Sequence, residues 1–329
     1  MENRTGIRSV RRYFESATVL AACIFTQAVS AQVGFPSRPL TLIAPLEAGG
    51  SVDILARAIA RPVSERLGVN VLVENRPGAN FVIAANACAR ARPDGYTLCL
   101  LPRDTVSLLP FEQALPYDPQ KDFAPVTLVA WFQSMLAASA ALPVSTFREL
   151  VEYSKKNPGK LNYTGFGSNP LMMEWVKKQT GLDLTFVPFK GGPSAAQAFL
   201  AGDVHVMIQS IGSPGIMPMI KSGKMKPLMA PGSRRAALMP EVPTHTEVGL
   251  PDFSIRTWLG AFMPAGVPRE AVGRLSSEIS TVLRNPEFRE KSLSPYGWEG
   301  GGDTPDEFAR FLVNDRREGE EIIKVSGRR

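Results

Sequence analysis

The stretch APLEAGGSVDILARAIA, residues 44–60, carries the first fold signal of this 329-residue chain. An apolar lead-in of Leu40, Leu42 and Ile43 runs into Gly49-Gly50, and Val52, Ile54, Leu55 and Ile59 follow at helical spacing. With Ser51 as the helix N-cap, the reading is strand, tight turn, helix. Such a junction gathers unpaired backbone N–H groups at the positive end of a helix dipole, which favours an anion without any basic side chain. A βα turn whose glycines serve only positive φ explains the same residues equally well, so the rest of the chain decides.

Upstream, residues 1–31 read as a removed secretory signal. Arg4, Arg8, Arg11 and Arg12 precede a mostly apolar run, Ala17 to Val29, and the small-residue site Val29-Ser30-Ala31. Leu20-Ala21-Ala22-Cys23 has the pattern of a lipoprotein cleavage site, but only Ala17 to Ala22 is uninterrupted before it. Arg11-Arg12-Tyr13-Phe14 is close to a twin-arginine signal, with Glu15 against it. The expectation is an exported protein free of a lipid anchor at Cys23.

Processing takes four Arg and two Glu from 37 basic and 31 acidic residues, leaving a net charge of +4. The basic residues are scattered, which excludes a nucleic-acid footprint. No later segment reaches the roughly 18 uninterrupted apolar residues of a membrane span. Of the cysteines, Cys88 and Cys99 remain; an oxidising compartment permits a bridge, but the expectation for one pair in so long a chain is two buried thiols.

Downstream, strands and helices alternate, which predicts α/β architecture with largely parallel sheets. Pro62 should kink the first helix. Strands are expected at 69–73 and 96–101, with irregular chain from Leu101 to a strand at 126–130. A second series opens on the capping box Thr146/Glu149. It runs through a strand at 161–164, the loop Gly165-Phe166-Gly167-Ser168, a strand at 184–189 and the loop Lys190-Gly191-Gly192-Pro193. Residues 126–133 and 253–263 bracket this series and are the expected crossings between two lobes, residues 32–131 with 254–329 and residues 132–253. A cleft between them would bring the glycine loops face to face.

Reactive sets are missing from the pattern. His205 and His245 have no metal-ligand spacing, and no GxGxxG, GxSxG or P-loop occurs. Ser51 with Asp53 reads as a cap and a first-turn acid rather than nucleophile and base. The expectation is binding without chemistry, with no metal and no cofactor.

Pro45, Gly49-Gly50, Asp53-Ile54 and Ala56-Arg57, followed by Val73-Glu74-Asn75-Arg76-Pro77-Gly78-Ala79 and Pro93-Asp94-Gly95-Tyr96-Thr97-Leu98, resemble a known family. It is the Bug-type periplasmic solute-binding receptors of tripartite tricarboxylate transporters. Pro116-Tyr117-Asp118-Pro119, Lys121 to Val126, Asn157 to Tyr163, Val187 to Gly191, Trp258 and Gly300 to Phe308 extend the resemblance over the mature chain.

The resemblance implies a two-lobed, type II-like Venus-flytrap fold, free in the periplasm; a monomer is expected. It implies closure on a small carboxylated solute and delivery to membrane subunits of the transporter. Carried over, the ligand-binding residues are Pro45, Ala48, Gly49, Gly50, Ser51 and Asp53 in one loop, with Asp53 holding the loop rather than touching ligand. Gly165, Gly167 and Ser168 form the second loop, and Gly191 and Gly192 a further cleft-facing turn.

Departures from the family pattern mark specificity. Asn80 and Phe81 stand where glycine-rich sequence is usual and should narrow the cleft. The second loop is short, with Pro170 where a histidine is common. Glu47 opposes a second carboxylate if it faces inward and is inert if it faces outward. Arg103-Asp104 either contacts ligand or forms a solvated pair. Backbone donors recognise a carboxylate and say little about what is attached to it, so mono- and dicarboxylates, aromatic acids, amino acids and amide analogues all fit. A same-fold ligand sensor and, further off, a secreted enzyme are the alternatives.

Overall fold

The computed structural model describes residues 34–232, 234–251 and 256–326. The expected signal segment with Cys23, and Phe253 at the head of the expected return strand, lie outside them. Within Arg38–Arg329 the chain builds two sheets.

The first sheet grows from the junction that opens the sequence. Strand β1 (Leu40–Ala44) leads to helix α1 (Ser51–Leu67), then strand β2 (Val71–Asn75), helix α2 (Val82–Ala89) and strand β3 (Thr97–Pro102). Helix α1 buries Val52, Leu55, Ala56, Ile59 and Val63, the i, i+3, i+4 stripe seen in its sequence. It continues to Leu67 through Pro62, which removes one hydrogen bond without ending the helix. Strand β4 (Phe123–Phe132), the returning strand β10 (Thr257–Pro264) and β11 (Glu299–Gly300) complete the order β11-β4-β10-β3-β1-β2.

One residue, Gln133, separates β4 from β5 (Ser134–Ser139), the strand by which the chain enters the second sheet. Helix α3 (Phe147–Lys156) starts at the Thr146/Glu149 capping box, with both reciprocal bonds made. Strand β6 (Asn162–Gly165), helix α4 (Asn169–Thr180), strand β7 (Thr185–Phe186) and helix α5 (Gly192–Ala201) follow. Strand β8 (Val206–Ser210), helix α6 (Ile216–Lys221) and strand β9 (Met225–Met229) close the order β7-β6-β8-β5-β9. The expected strand at 184–189 shrinks to two paired residues at the sheet edge, because Pro188 has no N–H to offer the ladder.

Both sheets are mixed rather than largely parallel. β1, β2 and β3 pair in parallel, as do β6, β7 and β8; β4, β5 and β10, with the edge strands β9 and β11, supply the antiparallel pairs. The exceptions are centred on the strands by which the chain leaves one sheet and returns, which arrive without the helical crossover that parallel pairing needs. Strand β5 is covered on both faces and divides its side chains by the period of two: Met135 and Ala137 join one buried cluster, Leu136 and Ala138 the other.

The last two long helices, α7 (Arg269–Arg284) and α8 (Pro305–Ser326), come back after β10. Thr304 and Glu307 cap α8 through Glu307 N–H to Thr304 Oγ1 and Thr304 N–H to Glu307 Oε2. Phe308 and Leu312 of α8 pack with Trp258 and Phe262 of the first sheet, while Ile323 joins Leu136, Leu171 and Trp175 in the core of the second.

Cys88 of α2 and Cys99 of β3 form a disulfide, which corrects the expectation of two free thiols. Helix α2 packs back across β3, so the two residues meet with Cα atoms 6.1 Å apart, within the range a bridge requires. Closing an 11-residue separation contributes roughly 3 kcal/mol by loop entropy. A Cys88→Ala/Cys99→Ala double variant is therefore expected to lose about 2–3 kcal/mol in urea unfolding, and an unchanged midpoint would show that the bridge adds no stability.

Candidate functional site

The opening junction folds as strand, turn and helix, but its hydrogen bonds are already assigned. Gly50, not Ser51, is the N-cap, and Ser51 is the first helical residue. Asp53 reaches back so that its Oδ2 accepts the Gly49 N–H at 2.9 Å, while Arg57 Nε donates to both carboxylate oxygens at 3.0 and 3.1 Å. Burial alone would raise the Asp53 pKa; the bonds from Arg57, the Gly49 N–H and Asn75 outweigh it and leave the group lowered. The Gly50 N–H donates to the Glu47 carbonyl at 3.2 Å. Gly49 and Gly50 thus spend their donors inside the loop, and the turn reading describes them better than the anion reading.

A cavity of about 690 Å³ lies between the two sheets. The first sheet's loops contribute Pro45 to Glu47, Gly78 to Phe81, Asp104, Leu108 and Glu112. The second's contribute Gly165 to Ser168, Pro170, Leu171, Phe186, Pro188 to Lys190 and Ser194. Of the residues expected at a ligand, Pro45, Gly165, Gly167, Ser168, Glu47, Asn80 and Phe81 line this cavity; Ala48, Gly49, Gly50, Ser51, Asp53, Gly191, Gly192 and Arg103 do not. Ala79, Asn80 and Phe81 have φ of 46°, 47° and 72°, three consecutive left-handed residues on the wall, a conformation costing L-residues roughly 1–2 kcal/mol each.

Ser168 is 3 % exposed, and its Oγ has no hydrogen-bond partner among the described residues. No acceptor among them takes the N–H groups of Gly167 and Ser168 either, although the next residue, Asn169, donates to the Phe166 carbonyl. Unclaimed donors therefore stand at the start of α4, on the cavity wall.

Glu47 faces neither ligand space alone nor solvent. Its Oε1 accepts the Ser194 N–H at 3.0 Å and the Ser194 hydroxyl at 3.1 Å, so an acid from the first sheet's loop caps helix α5 of the second. A Cβ at Gly191 would collide with the Glu47 side chain, which explains the glycine there.

Arg103 and its neighbour Asp104 point in opposite directions. The expected ligand contact or solvated pair at Arg103 is corrected: the guanidinium is 1 % exposed and lies 2.9 Å from Asp315 of α8, close in distance though angled off a hydrogen bond. The first part of the stretch expected to be irregular is instead wound, as a turn of π-helix over Asp104–Leu108 and a short helical turn to Glu112; from 113 to 122 it is irregular as expected. Asp104 turns into the cavity wall, 2 % exposed, with Oδ2 only 2.6 Å from where a Cβ of Gly167 would sit. Gly167 has φ of 61°, so the position calls for glycine on both counts. Burial pushes Asp104 up to about 7, aided by Glu112 and Asp315 and opposed by its own backbone N–H and Arg103. Of the Arg103-Asp104 pair that the sequence offered as a ligand contact, Asp104 is the member that lines the cavity; Glu112 and Ser194, which line it too, were missed, and nothing local in the sequence marks them.

Residues 55–327 match the model of the tripartite tricarboxylate transporter family receptor. The chain belongs to this receptor family. A protein of the tcbD-tcbE intergenic region in Pseudomonas sp. strain P51 is 33 % identical over 88 % of this chain and 86 % of its own length. The solved periplasmic binding protein BugD superposes with a TM-score of 0.83 at 28 % identity, covering 89 % of this chain and 99 % of its own. Rhodopseudomonas palustris Rpa4515, solved with adipate, gives 0.83 at 29 % identity over 89 % and 98 %. The two sheets of this receptor are thus the two halves of the type II-like Venus-flytrap fold expected from sequence, and the cavity is the cleft between them.

Removing the Glu47 clamp from this receptor should loosen the cleft: Glu47→Ala is expected to cost about 1 kcal/mol and to raise the radius of gyration of the ligand-free protein in small-angle scattering. An unchanged radius would mean that Glu47 does not hold the halves together. Asp104 has the opposite sign. Its folded pKa lies above the ordinary carboxylate value, so it favours the folded state at low pH and loses that contribution as pH rises toward 7. Asp104→Asn should therefore raise stability at pH 8 by on the order of 3 kcal/mol and by little at pH 4, read from urea midpoints at the two pH values.

Proposed function

We propose that this protein captures a small carboxylated solute in the periplasm and delivers it to the membrane subunits of a tripartite transporter. It acts as a monomer, without metal or cofactor and without turnover. The lobes are residues 32–131 with 254–329, and residues 132–253. The cleft between them closes on the solute by rigid-body motion about the strand pair that crosses at Gln133.

The observation that carries this reading is the pairing of a cavity between the two sheets with uncommitted donors on its wall: the Gly167 and Ser168 N–H groups and Ser168 Oγ. A helix start of this kind stabilises a carboxylate through backbone N–H groups and dipole together. Membership of a receptor family, and adipate in a structure of the same fold, support the assignment of that carboxylate to a solute. The donors come from the second loop; Asp53 occupies the corresponding N–H of the first.

The test is a thermal-shift screen of residues 32–329 against carboxylates and their matched amides, followed by scattering on the best acid. A bound acid at about 100 times its dissociation constant adds roughly 2.7 kcal/mol, a readable rise in Tm, and should contract the protein. Stabilisation by amides alone, or binding without contraction, would overturn the proposal.

A further inference from the structure

The charges on the cleft wall do not suit a dicarboxylate. Three acids line the cavity, Glu47, Asp104 and Glu112, against one base among the described residues, the exposed Lys190. Glu47 already sits on the N-terminus of α5, and Asp104 presses its carboxylate against Gly167 at the start of α4. Both helix starts that this half offers to an anion therefore have one of the protein's own carboxylates beside them. A ligand carboxylate at the start of α4 therefore meets Asp104 unless the ligand brings a cation beside it, and a second carboxylate would add further like charge.

The same wall has two complementary features next to each other. The Gly167 and Ser168 N–H groups donate to a carboxylate; Asp104, directly against Gly167, offers a buried acceptor whose charge Arg103, turned away to Asp315, offsets only in part. Glu112 adds negative charge on the same side. The remaining wall is apolar and aromatic, with Phe81, Leu108, Phe166, Leu171, Phe186 and Phe189.

We propose that the solute is an amino acid with an apolar side chain, its carboxylate on the Gly167–Ser168 donors, its ammonium on Asp104, and its side chain among the phenylalanines. This rests on the solute-receptor reading and names the substrate class of that site. An ammonium supplies the countercharge that Asp104 lacks, so binding favours the ionised carboxylate and lowers its pKa. The groups that act on Asp104 are Arg103, Glu112, Asp315 and the Tyr117 phenol, with Glu47 and Lys190 across the cavity. With Asp104 titrating at about 7 in the empty cleft, affinity for the cation should rise with pH, about tenfold from pH 6 to pH 8.

Calorimetric titration tests this with phenylalanine and leucine, each beside its deaminated acid, 3-phenylpropionate or 4-methylpentanoate, and with adipate as the dicarboxylate. The expected result is that at least one amino acid binds at least tenfold tighter than its deaminated acid and than adipate, and tighter at pH 8 than at pH 6. Asp104→Asn should erase both the preference for the amine and the pH dependence, with circular dichroism showing an intact fold; Glu112→Gln should reduce the preference in part. Adipate or a deaminated acid binding as tightly as the amino acids overturns the amine assignment and leaves the receptor reading standing. Affinity that falls as pH rises also overturns it, because Asp104 would then act as a protonated donor. Binding of none of these probes overturns both.

Discussion

A guanidinium taken out of water needs a carboxylate, and the pairing of Arg103 with Asp315 is the constraint on which the cleft depends. Removing one partner from a buried pair leaves an uncompensated charge, typically at a cost of roughly 3–5 kcal/mol. The turn after β3 and helix α8 are therefore held together, with Gly319 of α8 so close to the Ser107 carbonyl that a side chain there would collide. Once Arg103 is committed to α8, its neighbour is committed to the other side. Asp104 reaches the cavity because Arg103 does not.

The cleft is built by carboxylates of one half acting on the helix starts of the other. Glu47 caps α5, Asp104 abuts the start of α4, and Asp53 occupies the loop beside its own helix. The three differ in environment. Asp53 has Arg57 and two further hydrogen-bond donors and is lowered; Asp104 is buried with little compensation and is raised. Position along the chain says nothing about this difference; the number of donors each oxygen meets decides it.

What the sequence made legible was what local physics determines. The strand-turn-helix at 40–60, the capping boxes at Thr146 and Thr304, and the order of elements follow from periodicity and capping chemistry over a few residues. The second loop, Gly165 to Ser168, was placed at the cavity by the same logic. Long-range choices were not legible. Whether Arg103 or Asp104 faces the cleft depends on an acid 212 residues from Arg103, the meeting of Cys88 with Cys99 depends on how α2 lies on β3, and the loss of the Gly49 donor depends on a rotamer of Asp53. Residues such as Phe186 and Ser194 line the cavity only because the halves close on each other.

Helix α8 ties the end of the chain to both halves. Its first turns complete the aromatic packing around Trp258, its middle carries Asp315, and Ile323 near its end fills the core of the second sheet. A chain without this helix would hold a buried-type arginine with no acid to meet it, and the clusters of both sheets would lose side chains at once, so one helix couples the stability of one half to that of the other.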